Sequence, residues 1–198
     1  VLNRDEKAPE FLYKAAETAH TLKTFEKSFA LYDWIISKYP QSPRAPVALF
    51  MKGFIFDATL HDSANAAKFY GEFIGKYPNK KVMMVSHTTD LAVDFGRKVR
   101  NIIDTDAYRQ IFPTVNLAAD SKSAGRWNTN AGGEYYACGI GSSIAGRGAD
   151  LLLVDDPHSE QDVLNGNFDV FDKAYDWFAY GARTRLMPGG RVAIIQTR

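Results

Sequence analysis

The 198-residue chain has one cysteine, Cys138, no run of five like charges and no long apolar stretch. One cysteine excludes an internal disulfide framework and any all-cysteine metal site, and it suits a reducing compartment. No segment approaches the roughly 18 consecutive apolar residues of a membrane-spanning helix, and the start VLNRDEKAPE lacks the apolar core of a signal peptide. The expectation is a soluble, cytoplasmic protein without a membrane partner. A net charge of +1 neither favours nor excludes nucleic acid, because a balanced total can hide a local basic groove. Also missing is any G-x-x-x-x-G-K-[ST] loop, so the backbone N–H cradle and lysine that grip nucleotide phosphates are not encoded.

What is present includes 45% hydrophobic and 13% aromatic residues, enough to build cores rather than a disordered chain. The first eighty residues repeat. LYDWIISKYP at Leu31 to Pro40 and FYGEFIGKYP at Phe69 to Pro78 align without a gap at a spacing of 38, and APEFLYKAAETA at Ala8 aligns upstream with APVALFMKGFIF at Ala45. Each unit reads as helix, turn, helix, stop, with proline suited to the first turn of the first helix. Helical spacing predicts one packing face from Phe11, Ala15, Ala19 and Leu22 and another from Phe29, Tyr32, Ile35 and Ile36, with Ala15, Ala16 and Gly53 allowing close approach.

From Lys80 the pattern alternates between strands and helices. VMMVSH is a short apolar run, followed by a helix that Thr88 or Thr89 can cap and whose expected apolar face is Leu91, Phe95, Val99 and Ile102. Glycine-rich turns around NAGGEYYACGIGSSIAGRG come next, then the strand ADLLLVDD, a helix through FDVFDKAYDWFAYGARTRL, the turn MPGG and a last strand RVAIIQT. Continuous apolar strands separated by helices predict an open parallel sheet covered on both faces. The expected fold class is therefore α+α/β, with helical hairpins over 1–80 and an α/β parallel-sheet domain over 81–198.

Leu151 to Val154 carry Asp155 and Asp156 to the strand's carboxyl end, where open α/β sheets bind ligands. A carboxylate pair there suits Mg2+, and a second acid can orient or deprotonate an attacking water. Asp-Asp-Pro is equally ordinary turn chemistry after a buried strand. The model of the sheet edge that follows from the pattern puts Asp155 beside the ends of VMMVSH and RVAIIQT.

Two resemblances extend this reading. The period, small residues and Tyr-Pro exits of residues 8–80 resemble tetratricopeptide (TPR) repeats. The order from Lys80 to Arg198, and above all GSSIAGRGADLLLVDDP, resembles the ATPase domain of the large terminase subunit of tailed bacteriophages, which packages DNA. That resemblance implies a partial P-loop-type domain in which Asp155 is the Walker B magnesium acid and Asp156 the catalytic acid. It implies that Gln196 and Thr197, in AIIQTR, couple the γ-phosphate state to DNA movement, with Mg2+ and ATP as cofactors. Arg147 is then a candidate arginine finger reaching a neighbouring subunit's nucleotide; its alternative is a pairing with Asp150 or a helix end. Double-stranded DNA, a portal and a small terminase subunit are the implied partners.

Other residues keep two readings. Ser142 and Ser143 could contact phosphate or simply sit in a flexible loop. His87 and His158 could ligate metal or be solvated edge residues. Trp127, Tyr135 and Tyr136 could stack bases or fill a core, and Arg97, Lys98 and Arg100 could touch phosphates or line an exposed helix face. Cys138 reads as a small core residue. The missing phosphate loop, and the lack of a nuclease domain after Arg198, make a fragment or a chimera joined near EFIGKYPNKK the expected origin, inactive alone. The competing function is a protein-interaction module in which the repeat's concave face, an exposed surface lined by Tyr13, Phe50 and neighbouring residues, recognises a peptide, with the α/β half as a platform.

Overall fold

A computed structural model describes residues 4–196, which divide between Tyr77 and Pro78 into two compact units. Together they contain helical hairpins and a six-stranded mixed sheet, the α+α/β class. Among the described residues no helix is long and apolar enough to cross a membrane.

The first unit is α1 (Arg4–Thr21), α2 (Phe25–Lys38), α3 (Arg44–Phe54), a π-turn (Ile55–Thr59) and α4 (Ser63–Lys76). The sequence repeat is reproduced in the backbone. α2 ends at Tyr39 with φ −129° and ψ 53°, and α4 ends at Tyr77 with φ −129° and ψ 56°. Each is followed by proline, whose ring drives the preceding residue out of helical geometry. Both capping N–H groups bond back four residues, to Ile35 O and Phe73 O.

α3 is the centre of this unit, with Ala45 and Val47 to Phe54 buried. Gly53 makes its packing possible: a Cβ there would lie 2.8 Å from the Tyr70 ring. Several expected faces are rotated. Phe11 and Leu22 are 67% and 68% exposed and Ala15 is exposed, while α1 buries Tyr13, Ala16 and Ala19. Tyr13 stacks obliquely against Tyr32 with Arg44 over its ring, so aromatic and cation–π contacts chose the face over aliphatic character. Tyr13 and Phe50 are both 3% exposed, and so they form core rather than a recognition surface. Pro9 lies inside α1 rather than in its first turn, because the helix begins at Arg4.

The second unit is β1 (Lys81–Ser86), α5 (Thr89–Ile103), α6 (Asp106–Ile111), β2 (Leu117–Lys122), β3 (Arg126–Thr129), β4 (Glu134–Gly139), β5 (Ala149–Asp155), α7 (Glu160–Leu164), α8 (Asp169–Asp176) and β6 (Leu186–Ile195). α8 continues without a break through a π-helical turn (Trp177–Gly181) and a 3-10 turn (Ala182–Arg185) up to β6, so the helix expected over this stretch is present with a changing hydrogen-bond pattern. The strand order is β2-β3-β4-β1-β5-β6. β4, β1, β5 and β6 are parallel, but β3 is antiparallel to both β2 and β4. The sheet is thus mixed, not wholly parallel. β2 and β3 are short and polar, and an antiparallel edge needs no apolar run because it is not covered on both faces.

The parallel strands read as expected, with Val82 to Val85 and Leu151 to Val154 buried. Full burial of each such side chain contributes about 2 kcal/mol. One sheet face packs Met83, Val85, Cys138, Leu152 and Val154 against Ala182, with Trp177 and Phe178 at the margin. The other carries Tyr135, which stacks on Trp127 at 5.2 Å and donates its hydroxyl hydrogen bond to Ala92 O of α5. α5 buries Ala92, Gly96, Val99 and Ile103, whereas Leu91 is half exposed, so the helix is turned by one residue from the expected face.

The turn is set by Gly96. A Cβ at that position would sit 2.1 Å from Tyr135 Cε1, and the ring cannot retreat because Trp127 lies against it and donates its indole N–H to Gly96 O. Gly96→Ala is expected to destabilise the second unit by about 3 kcal/mol, the upper range for overpacking a tight core, as read from urea unfolding monitored by tryptophan fluorescence.

Candidate functional site at the carboxyl edge of the sheet

Three parallel strands end together. Ser86 of β1 pairs in register with Asp155 of β5, and Asp155 pairs with Ile195 of β6. The expected neighbours of Asp155, the ends of VMMVSH and RVAIIQT, are the observed ones.

Asp156 follows the strand with φ +40°, in the left-handed region that Asp and Asn tolerate better than most residues. This conformation points its two peptide groups at both flanking strands. The Asp156 N–H donates to Ile195 O at 3.0 Å, while Asp156 O accepts from the His87 N–H at 3.1 Å. His87 Nδ1 also lies 3.1 Å from Asp156 O, which assigns the proton to Nδ1. The acid pair is consequently fixed by backbone bonds on both sides. Asp155 and Asp156 are each partly buried and each makes further interactions.

α5 starts at the same edge. Thr88 caps it by accepting from the Leu91 N–H at 3.5 Å, and Thr89 Oγ1 accepts from the Gly139 N–H at 3.0 Å, tying the end of β4 to the helix. Ser86 is 1% exposed and its hydroxyl has no hydrogen-bond partner. Gln196 is exposed immediately after β6, on the same edge; Thr197 lies outside the described residues.

Arg147 is elsewhere. Its guanidinium donates to Glu134 Oε1 at 3.1 Å and lies 3.7 Å over the Tyr136 ring. Glu134 begins β4 opposite Lys81, whereas Asp155 lies opposite Ser86, so Arg147 is held at the other end of the strands. Asp150, the partner weighed for it, instead accepts from Lys80 Nζ at 3.0 Å and the Lys81 N–H at 2.9 Å. Glu134 also accepts from Arg126 Nε at 2.8 Å, making a two-arginine clamp on one carboxylate. Residue spacing gave no signal for this clamp, because its members come from three separate segments.

The remaining candidates take structural positions. Trp127 and Tyr135 are core, at 1% and 3% exposure, and Tyr136 lies beneath Arg147. Arg97 pairs with Asp94 and Arg100 donates to Asn101 on the outer side of α5. The glycine loop is anchored: Ile144 enters the core and Ser142 O accepts from Trp177 Nε1 at 3.0 Å. Burial pushes the Cys138 thiol up to about 11, keeping it protonated. His158 lies against Phe171 with tilted rings, centroids 4.4 Å apart, and its two ring nitrogens are buried without a hydrogen-bond partner.

Among the described residues no group of three or more His, Cys, Asp and Glu could hold a metal ion. A divalent site here would have to be the carboxylate-pair type that suits Mg2+, which keeps most of its waters and takes one or two protein carboxylates. The donor chemistry of Asp155 and Asp156 fits that ion. It does not fit ATP alone, since no phosphate loop is encoded. No family model and no curated protein matches the chain.

Two outcomes follow from this geometry. Asp156→Ala is expected to be about 1 kcal/mol less stable than Asp156→Gly, because only glycine adopts φ +40° without a Cβ penalty; urea unfolding of both variants measures it. His158 has a lowered pKa, chiefly from burial, which the Asp162 carboxylate opposes. The unfolded chain therefore takes up this proton first as pH falls, so stability present above the ordinary histidine range is lost on acidification. Thermal unfolding between pH 7 and pH 5 should show a smaller acid loss in His158→Phe than in the parent chain.

Proposed function

We propose that the second unit is a terminase-type ATPase segment of a viral DNA-packaging motor, and that this chain alone does not turn over ATP. The observation that carries the reading is the acid pair at the carboxyl edge between two parallel neighbours. It is reached in the order β1, α5, α6, β2 to β4, glycine loop, β5, acids, α7, α8, β6. In this reading Asp155 holds Mg2+, and Asp156 is placed to orient or accept a proton from a water. Gln196 comes directly after Ile195, whose carbonyl accepts from the Asp156 N–H, so a change at the acids has a backbone route to it; Thr197 is the next residue in the sequence.

Mg2+ supplies charge neutralisation for a triphosphate when both are bound. The chain's own residues supply the orientation of the carboxylates and little grip on phosphate. Arg147 acts on a neighbouring subunit only by leaving Glu134 and Tyr136, which makes it a conditional finger. Double-stranded DNA, a portal and a small terminase subunit are the partners that go with the reading, and the host cytoplasm is its location. The first unit's matched Tyr-Pro exits support a TPR-like pair of hairpins and a protein partner. The burial of Tyr13 and Phe50 takes both out of any surface that an interaction module would present, leaving only their neighbours for it.

Calorimetric titration of the chain with Mg2+ is expected to give weak binding that Asp155→Ala loses. With ATP added, phosphate release should equal that of the same variant. Binding that survives in Asp155→Ala would overturn the assignment of Asp155; phosphate release that depends on Asp155 would overturn the proposed inactivity.

A further inference from the structure

After Lys81, β1 is apolar until its last residue. Val82, Met83, Met84 and Val85 are succeeded by Ser86, equally buried at 1% exposure, and its hydroxyl is unpartnered. A buried hydroxyl without a partner is destabilising, and alanine would fill the same space without that cost. Strand alternation states where the hydroxyl lies. Met83 and Val85 belong to the cluster with Leu152 and Val154, so Val82, Met84 and Ser86 share the opposite face with Leu151, Leu153 and Asp155. Ser86 and Asp155 are register partners on adjacent parallel strands, and in-register side chains stand on the same face. The backbone around Ser86 is already committed: its carbonyl accepts from the Ile140 N–H at 2.9 Å, and the next residue bonds Asp156 O. The hydroxyl is the one polar group at this position not used to hold the sheet together.

We infer that Ser86 is a positioning residue for the Asp155 carboxylate, its hydroxyl donating to that carboxylate when a divalent cation is held there. This rests on the reading of Asp155 as the cation's acid and deepens it. Partners that orient a ligating carboxylate typically change metal affinity by 10–100-fold when removed, through ligand geometry rather than direct coordination. The orphan hydroxyl is then a stability cost of the cation-free chain that is recovered when the cation binds, a trade expected at functional sites.

The test is Mn2+ titration of the full chain, read as free Mn2+ by electron paramagnetic resonance, with thermal unfolding in the absence of cation. Ser86→Ala is expected to weaken Mn2+ binding about 10-fold while leaving cation-free stability equal or higher. Ser86→Cys keeps a small side chain with a poor donor and should weaken binding similarly; it carries the test if the alanine variant does not fold. Asp155→Asn should remove binding. Unchanged affinity in both Ser86 variants, with binding lost in Asp155→Asn, would overturn the role of Ser86 and leave the reading of Asp155 standing. Lower cation-free stability in Ser86→Ala would also overturn it, since the hydroxyl would then have a structural partner. Absence of Mn2+ binding by the parent chain would overturn both.

Discussion

The two peptide groups flanking the Asp156 Cα hold the carboxyl edge of the sheet together. The Asp156 N–H binds the end of β6 and its carbonyl binds the residue after β1, so β5 remains bonded to both neighbours one residue beyond the strand itself. This pair of hydrogen bonds goes with the left-handed conformation at Asp156, which a short polar side chain tolerates. The direction of the acid pair, the His87 ring and the departure of the chain toward Pro157 and His158 all follow from it. An acid pair on a frayed strand end would sample many orientations; this one is clamped before any ligand arrives.

The two ends of the parallel strands have different chemistry. At the carboxyl end lie carboxylates, a buried hydroxyl, a histidine and a helix start; at the amino end Arg126 and Arg147 converge on Glu134. Glu134 is only 15% exposed, so removing either arginine still leaves one cation against a mostly buried carboxylate. The clamp stabilises the approach of the glycine loop to β4. Under the motor reading it also sets a threshold that Arg147 must cross before serving another subunit.

Much of the fold was legible because burial and apolar character coincide in the two central parallel strands, VMMV and LLLV; VAII is an apolar run on the sheet edge, where Ile194 is exposed, and the place of all three follows once the acids mark a carboxyl end. β2 and β3 were not legible, since LAADSK and RWNT are polar strands on an antiparallel edge and resemble loops. Helix faces were readable only approximately: Phe11 and Leu22 have the right spacing and chemistry for a core and still face outward, because Tyr13 found a better-packed aromatic and cationic environment. Asp155 and Asp156 stand out in any reading of the chain. Ser86 does not, because a serine after an apolar run reads as the start of a turn, and only its burial and register beside Asp155 give it meaning.

The central claim is that the clamped carboxyl edge, and not the amino edge, receives a divalent cation. The most direct measurement is paramagnetic broadening of backbone amide resonances on adding Mn2+ to the isotopically labelled chain. The account predicts early loss of the Ser86, His87, Asp155 and Asp156 signals, with Glu134 and Arg147 retained. Equal broadening at both ends, or broadening confined to surface carboxylates such as Asp104 and Asp106, would contradict it.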